Sequence, residues 1–207
     1  NNLFSLVYIF DIHPLAVLAN TKQRFITDIE QKLELIGNMG VDFVYLQNFN
    51  HQFSGMQPER FIADILKERL ACEYAISGYD YKFGYMAKGD TKSLKNTGRK
   101  YDIKVKILKR IDYLGQPVSA SRIRELLAIG DIQYVNNLLG REYQIRGTVE
   151  KGKSIGSKIG YPTANIPIND DMQIPAFGVY RTVTSIDGIR YASITNIGNN
   201  PTVNDKN

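Results

Sequence analysis

The first half of the chain alternates near-continuous apolar runs with segments of helical spacing. Residues 3–10, LFSLVYIF, are apolar at almost every position, as expected of a strand buried on both faces. Phe25, Ile29, Leu33 and Ile36 recur at helical spacing and predict a helix capped by Thr21 and closed by Gly37. VDFVYL (41–46) reads as a second strand. Pro58 suits the first turn of a helix whose Phe61, Ile65 and Leu66 stack on one side. CEYAISG (72–78) predicts a third strand, and IKVKILKRI (103–111) a fourth with clean alternation, the stretch near Thr91 to Arg99 reading as a loop. Strand, helix, strand, helix, strand implies a parallel sheet with crossover helices.

Two short helices follow. SASRIRELLAI runs to Gly130, and DIQYVNNLL, capped by Asp131, runs to Gly140. Beyond Gly140 the helical period disappears. EYQIRGTVE, YPTANIPI, GVYRTVTSI and IRYASITNI are short β-rich runs separated by Gly, Pro, Asn and Asp, which predicts an antiparallel barrel or sandwich. The expected fold class is therefore α/β followed by all-β, with a boundary near residue 140 separating 1–140 from 141–207.

Composition narrows the chemistry. The 207 residues suffice for a sizeable core without a disulfide or metal staple. One cysteine, Cys72, excludes an internal disulfide and multi-cysteine zinc sites, and two histidines, His13 and His51, argue against a multi-histidine metal centre. No apolar run approaches the roughly 20 residues of a membrane span and no signal peptide opens the chain, so the expected location is the cytoplasm. The net charge of +5 is concentrated: residues 78–124 hold 12 basic and 4 acidic side chains, whereas 1–77 are net acidic and 125–207 balance. Such a segment attracts polyanions, whether nucleic acid, a membrane surface or nucleotide phosphates.

Several segments carry candidate chemistry. Ser119, Ser121, Arg122 and Arg124 stand at a predicted helix start, where hydroxyls, guanidinium forks and free backbone N–H groups suit a phosphate, although a serine there also serves as a plain cap. Asp80 and Phe83 lie in GYDYKFG, at the carboxyl end of a predicted parallel strand, where open α/β sheets bind ligands; a turn with inward-packed aromatics is the alternative. Asp11 and His13 close another strand at the same edge. Residues 147–154, GTVEKGKS, fit the P-loop expression, but Gly156, Gly160 and Pro162 downstream oppose the helix that a P-loop requires. A Gly- and Lys-rich flap is the better reading, with Gly147, Gly152, Lys153, Gly156, Lys158 and Gly160 bringing N–H groups and charge toward phosphates. Thr163 and Asn165 stand two apart on a predicted strand, so their oxygens share a side and suit Mg²⁺ and a nucleotide phosphate.

In this order, FDIHP, GYDYKFG, VSASRIRELL, LLGREYQIRGTVEKGKSIGSKIGYPTANI, FGVY and TNIGNNPT resemble segments of the bacterial bifunctional riboflavin kinase/FMN adenylyltransferase (FAD synthetase) family. The resemblance covers nearly the whole chain. It implies a Rossmann-like nucleotidyltransferase domain joining FMN to the AMP part of ATP, followed by an antiparallel flavokinase β-barrel moving the γ-phosphoryl of ATP to riboflavin. It implies binding of FMN and ATP by Asp11, His13, Asp80, Phe83, Ser119, Ser121, Arg122 and Arg124, with Ser121 and Arg124 acting in adenylyl transfer. In the second module it implies roles for the flap glycines and lysines, for Thr163 and Asn165 as Mg²⁺ ligands, and for Tyr180 and Asn196, with Thr202 in the same motif as Asn196.

ATP, Mg²⁺ and the flavins riboflavin, FMN and FAD follow as cofactor, substrates and products, with neither nucleic acid nor membrane as partner. Ala120 and Ile12 depart from the family pattern. The family's H-x-G-H motif and kinase glutamate are expected upstream of the first strand and downstream of Thr202; neither occurs in these residues, so the first module is expected to lack its first strand and the barrel to be cut at its C-terminus. Two other readings stay open: a basic single-stranded nucleic-acid-binding protein, and a flavin-binding homologue without catalysis.

Overall fold

The first element is a strand at residues 6–10, as its apolar run predicts, and a parallel partner forms at 43–47. The computed structural model describes residues 3–19, 23–150, 160 and 163–198. β1 (Leu6–Phe10) and β2 (Phe43–Gln47) pair in parallel, with Leu6 opposite Phe43 and Phe10 opposite Gln47. Between them lie α1 (Pro14–Leu18) and α2 (Ile29–Asn38). α3 (His51–Ser54) and α4 (Pro58–Arg60) follow, and α4 continues directly as a π-helix over Phe61–Arg69. β3 (Tyr74–Gly78) pairs in parallel with β4 (Lys104–Leu108) across α5 (Thr91–Lys100), and β5 (Asp112–Tyr113) and β6 (Gln116–Pro117) make a short hairpin. Contacts divide the chain into two units, Asn1–Gln23 with Asp28–Val118, and Arg24–Thr27 with Ser119–Asn207.

In the first unit a core of Phe61, Ile62, Ile65, Phe83, Leu94 and Ile103 receives Tyr8 of β1, Phe53 of α3, and Ala75 and Val105 of the second strand pair. The strands are less covered than their sequence suggests. β1 and β2 are half-buried at best, and Ile76 of β3 is 65% exposed, because each parallel ladder among the described residues has only two strands.

Three local expectations shift. Helix α2 starts at Ile29, where Asp28 accepts from the Gln31 amide at 2.6 Å. Thr21, the expected cap, lies outside the described residues. Phe25 is off the helix and bridges to Met172 in the second unit, while Gly37 sits inside the helix, which reverses at Gly40. The stretch read as a loop near Thr91 is helix α5, held by a capping box in which Asp90 accepts from the Ser93 amide and Ser93 Oγ accepts from the Asp90 amide. Only Leu94 and Gly98 of α5 are buried, so the sequence shows no apolar period there. Gly98 is required by close approach: a Cβ at that position would stand 3.1 Å from Val105 Cγ2 and 3.3 Å from the Ile103 carbonyl.

In the second unit, α6 (Ala120–Ile129) and α7 (Ile132–Leu139) begin at Ser119 and Asp131 and end at left-handed Gly130 and Gly140, as predicted. Ile123, Leu127, Val135 and Leu138 are their buried residues. Residues 24–27 add to this unit through Phe25, whose amide donates to Asp171 O at 2.7 Å and whose carbonyl accepts from Gln173 N at 2.8 Å. β7 (Gly178–Ile186) and β8 (Ile189–Ile197) form an antiparallel hairpin across Asp187 and Gly188, both with positive φ, as a two-residue primed turn demands. One face carries a hydroxyl ladder of Thr182, Thr184, Ser193 and Thr195 at 2.7–2.8 Å. The other exposes Val179, Val183 and Ile194. EYQIRGTVE and the described part of YPTANIPI form no strand; a single bridge joins Glu150 to Asn165, and no closed ladder exists among the described residues.

Candidate functional site

At the end of β1 the backbone of Asp11 extends the parallel ladder, its amide donating to Gln47 O at 3.1 Å. The carboxylate then accepts three hydrogen bonds: from Ile12 N at 2.8 Å, from Phe49 N at 2.9 Å and from Asn48 Nδ2 at 2.7 Å. Burial pushes the carboxyl up, but the bonds from Phe49, Asn48 and Ile12 together outweigh it and hold the group below the ordinary 3.8. Asp11 therefore ties β1 to the loop after β2. A carboxyl depressed in the folded state stabilises the fold above its unfolded pKa, and that contribution is lost as pH falls through and below about 4. In Asp11→Asn, the acid limb of an unfolding-free-energy profile should be flatter than in the parent; an unchanged limb would dismiss the role.

His13 caps α1, with Nδ1 accepting from Leu15 N at 3.2 Å, which leaves the ring proton on Nε2 in the neutral form. At the end of β3, Asp80 is exposed and folds toward Gly78, while Tyr81 N closes a turn onto Gly78 O at 3.3 Å. Phe83 is a core residue, 7% exposed, stacked on Tyr81 and packed against Phe61. Its amide and carbonyl both bond to Gly89, closing a loop over 84–88 whose Tyr85 and Met86 are exposed. Gly84 opens that loop at φ +71, and a Cβ there would meet Pro58 at 2.8 Å.

The α6 start assembles a second group. Ser119 Oγ accepts from Arg122 N at 3.3 Å, so this serine is a true cap, and Ser121 is exposed in the first turn. Arg122 Nη2 donates to Tyr134 OH at 2.8 Å while its guanidinium lies 5.1 Å from the Tyr134 ring centroid; Nη1 is buried without a partner among the described residues. Arg124 Nε donates to Arg24 O at 2.7 Å, and partial burial lowers its pKa. Tyr134 and Arg24 position these arginines, and neither was visible as a site residue in the sequence.

Among the barrel-module candidates, Gly147 lies against Ile166 and Pro167, and Glu150 N donates to Asn165 O at 2.8 Å. The start of the flap is thereby brought against the P-T-A-N segment. Thr163 is exposed and Asn165 half-buried, but with no strand at 163–168 their spacing does not put them on one face. Gly160 has φ +83. Tyr180 OH donates to Ala176 O at 2.6 Å from the hydroxyl face of the hairpin, while Asn196 is exposed on the other face opposite Val179. Gly152, Lys153, Gly156, Lys158 and Thr202, with the second half of the P-loop-like stretch, lie outside the described residues. No group of three or more His, Cys, Asp or Glu placed to hold a metal occurs among the described residues.

Residues 1–122 match the model of the FAD synthetase family and residues 139–207 that of riboflavin kinase. The chain belongs to the FAD synthetase family. It is 34% identical over 203 residues to the bifunctional riboflavin kinase/FMN adenylyltransferase of Listeria monocytogenes, covering 96% of this chain and 63% of that protein. The Bacillus subtilis protein of the same name is 33% identical over 206 residues, covering 97% and 63%, and that of Escherichia coli K12 is 30% identical over 204 residues, covering 98% and 65%. The chain thus spans less than two thirds of the length of these relatives. Its fold is similar to a solved Streptococcus pneumoniae structure named as a macrolide-efflux protein, with TM-score 0.85 and 28% identity, covering 97% of this chain and 66% of the other. No helix among the described residues is long and apolar enough to cross a membrane.

Proposed function

We propose that the chain belongs to a two-activity flavin-nucleotide enzyme that phosphorylates riboflavin to FMN and adenylylates FMN to FAD with release of pyrophosphate. The observation that carries this reading is the succession, in one polypeptide, of a FAD synthetase match and a riboflavin kinase match. On this reading residues 1–140 are a Rossmann-like nucleotidyltransferase domain and 141–207 part of a flavokinase β-barrel, in a cytoplasmic protein whose partners are riboflavin, FMN and ATP rather than nucleic acid or membrane.

In adenylyl transfer an FMN phosphate oxygen attacks the α-phosphorus of ATP in line, and the bond to the pyrophosphate leaving group breaks. Arg122 and Arg124 supply fixed positive charge for the phosphate oxygens, and Ser121 supplies a hydroxyl donor beside the free N–H groups of α6. Asp11 ties the end of β1 to the loop after β2 and His13 caps α1 at the same sheet edge, and Asp80 offers an exposed carboxylate to flavin or ribose. In the kinase module the flap from Gly147 to Gly160 approaches phosphates, and Tyr180 and Asn196 contribute to the ATP and flavin surface. Thr163 and Asn165 offer a hydroxyl and an amide oxygen, hard neutral donors that fit Mg²⁺ when nucleotide phosphates complete its shell. Mg²⁺ supplies charge neutralisation on the transferring phosphates.

Riboflavin, ATP and Mg²⁺ given to the folded full-length protein that carries this chain should yield FMN and then FAD by chromatography. Formation of neither would overturn the reading. Thr163→Ala should lower FMN formation by about tenfold, the loss of one charge-assisted contact, while FAD formation from supplied FMN stays near the parent rate. Equal loss of both would refute the two-site assignment.

A further inference from the structure

The amino-terminal edge of β3 and β4, at the opposite end of these strands from Asp80, holds a second concentration of positive charge. An open cleft of about 400 Å³ is lined there by Lys95 and Arg99 of α5, by Asp102 and Ile103 of the connecting corner, and by Lys104 and Val105 at the start of β4. Three cations meet one carboxylate. Lys95 and Arg99 are four residues apart and so share a face of α5, with Lys92 one turn before them. Like charges at this spacing repel and weaken the helix.

Two carboxylates on neighbouring elements are committed elsewhere, Asp90 capping α5 and Glu59 pairing with Lys100 at 3.3 Å, which leaves Asp102 in the lining and Glu73 near Lys104 to oppose the cations. Lys104 Nζ donates to the neutral Tyr74 hydroxyl at 2.9 Å, and the Glu73 carboxylate favours its charged form from a distance without forming an ion pair among the described residues. Lys95 and Arg99 make no ion pair among the described residues. The helix dipole accounts for Arg99 and Lys100, which lie in the last turn of α5, but not for Lys95 or for Lys104 on the strand.

We propose that this cleft binds an anion carrying two or more linked phosphates, the chemistry shared by inorganic pyrophosphate and the polyphosphate tail of a nucleotide. A guanidinium fork beside two ammonium groups suits several phosphate oxygens at once. Capture of a single-stranded nucleic acid is disfavoured by the lining itself. It contains no aromatic ring on which a base could stack, and the nearby ring of Tyr74 is already covered by Lys104 Nζ at 5.0 Å. The site stands on cleft residues outside the proposed catalytic groups, so it is testable whether or not the enzyme reading holds.

The test is amide NMR on the full chain with sodium pyrophosphate, following Gly98, Asp102 and Ile103, because these amides lie at or beside the cleft lining. Pyrophosphate should shift all three. Lys95→Ala with Arg99→Ala should weaken that binding at least about tenfold, as expected for removing charge-assisted contacts. Lys109→Ala should leave it unchanged, and the charge-conserving Lys95→Arg with Arg99→Lys should retain it. ATP should shift the same amides while adenosine leaves them still, placing recognition on the phosphates. Absence of shifts with pyrophosphate, or shifts that persist in the double alanine variant, would overturn the proposal. So would single-stranded oligonucleotide binding at these amides without pyrophosphate binding. All substituted side chains are exposed, and an unchanged circular dichroism spectrum keeps loss of binding distinct from loss of fold.

Discussion

Arg124→Ala is expected to lower adenylylation of supplied FMN by about 10²–10³-fold, the scale for removing one preorganised charge-stabilising donor. Three features single out this arginine. Its Nε is committed to the Arg24 carbonyl at 2.7 Å, which fixes the guanidinium plane through a contact spanning 100 residues of sequence. Partial burial lowers its pKa, and among the described residues it makes no ion pair that would neutralise its charge. It also lies in the first turns of α6, where unpaired N–H groups and the helix dipole already favour an anion. Arg124→Lys should remain impaired, because a point charge replaces a fork and the bond to Arg24 is lost. The measurement is FAD formation from FMN and ATP beside FMN formation from riboflavin, in a preparation active in both. A parent-like FAD rate in Arg124→Ala, or an equal fall in the two reactions, would dismiss the assignment.

The elements legible in the sequence are those whose signals are local. Apolar runs located β1 to β4 within a few residues, and Ser119, Gly130, Asp131 and Gly140 marked both ends of α6 and α7. Helix α5 escaped because its stability comes from the Asp90–Ser93 capping box and from one buried leucine, neither of which produces a period. The same limit applies to sites. GYDYKFG alternates aromatic and charged residues in sequence and leaves a ligand site and an inward-packed turn both open; Phe83 is a core residue packed against Phe61, 22 positions upstream, and Asp80 is exposed. The positive segment 78–124 likewise reads as one feature when charges are summed. In the fold Arg122 and Arg124 stand at the α6 start, whereas Lys95, Arg99 and Lys104 line the cleft between α5 and β4. Which face a charge occupies depends on pairing partners such as Glu59 and Asp112, and sequence spacing does not give these.

Phe61→Ala should produce the largest loss of stability in the first unit, about 3–5 kcal/mol, as is usual for truncating a buried phenylalanine. Phe61 is 4% exposed and lies at the centre of an aromatic chain, with ring centroids 5.7 Å from Tyr8, 6.4 Å from Phe53 and 5.5 Å from Phe83. Removing it opens a cavity where a β1 side chain, α3 and the loop after β3 meet. That loss is a large part of the roughly 5–15 kcal/mol that holds a typical domain folded. Phe61→Leu should cost far less, since it keeps most of the volume, and Ile76→Ala, at an exposed strand position, should change stability by no more than about 0.5 kcal/mol. The chain has no tryptophan, so urea unfolding is followed by the near-ultraviolet circular dichroism of its tyrosines. The consequence extends to the candidate site. Phe83 rests on Phe61 and, through both of its bonds with Gly89, holds the ends of the loop that carries Tyr85 and Met86. Amide exchange at Phe83 and Gly89 should therefore accelerate in Phe61→Ala under conditions where the protein remains folded, whereas Ile76→Ala should leave it unchanged. Equal stability of Phe61→Ala and Ile76→Ala would mean that this aromatic chain is not what holds the unit together.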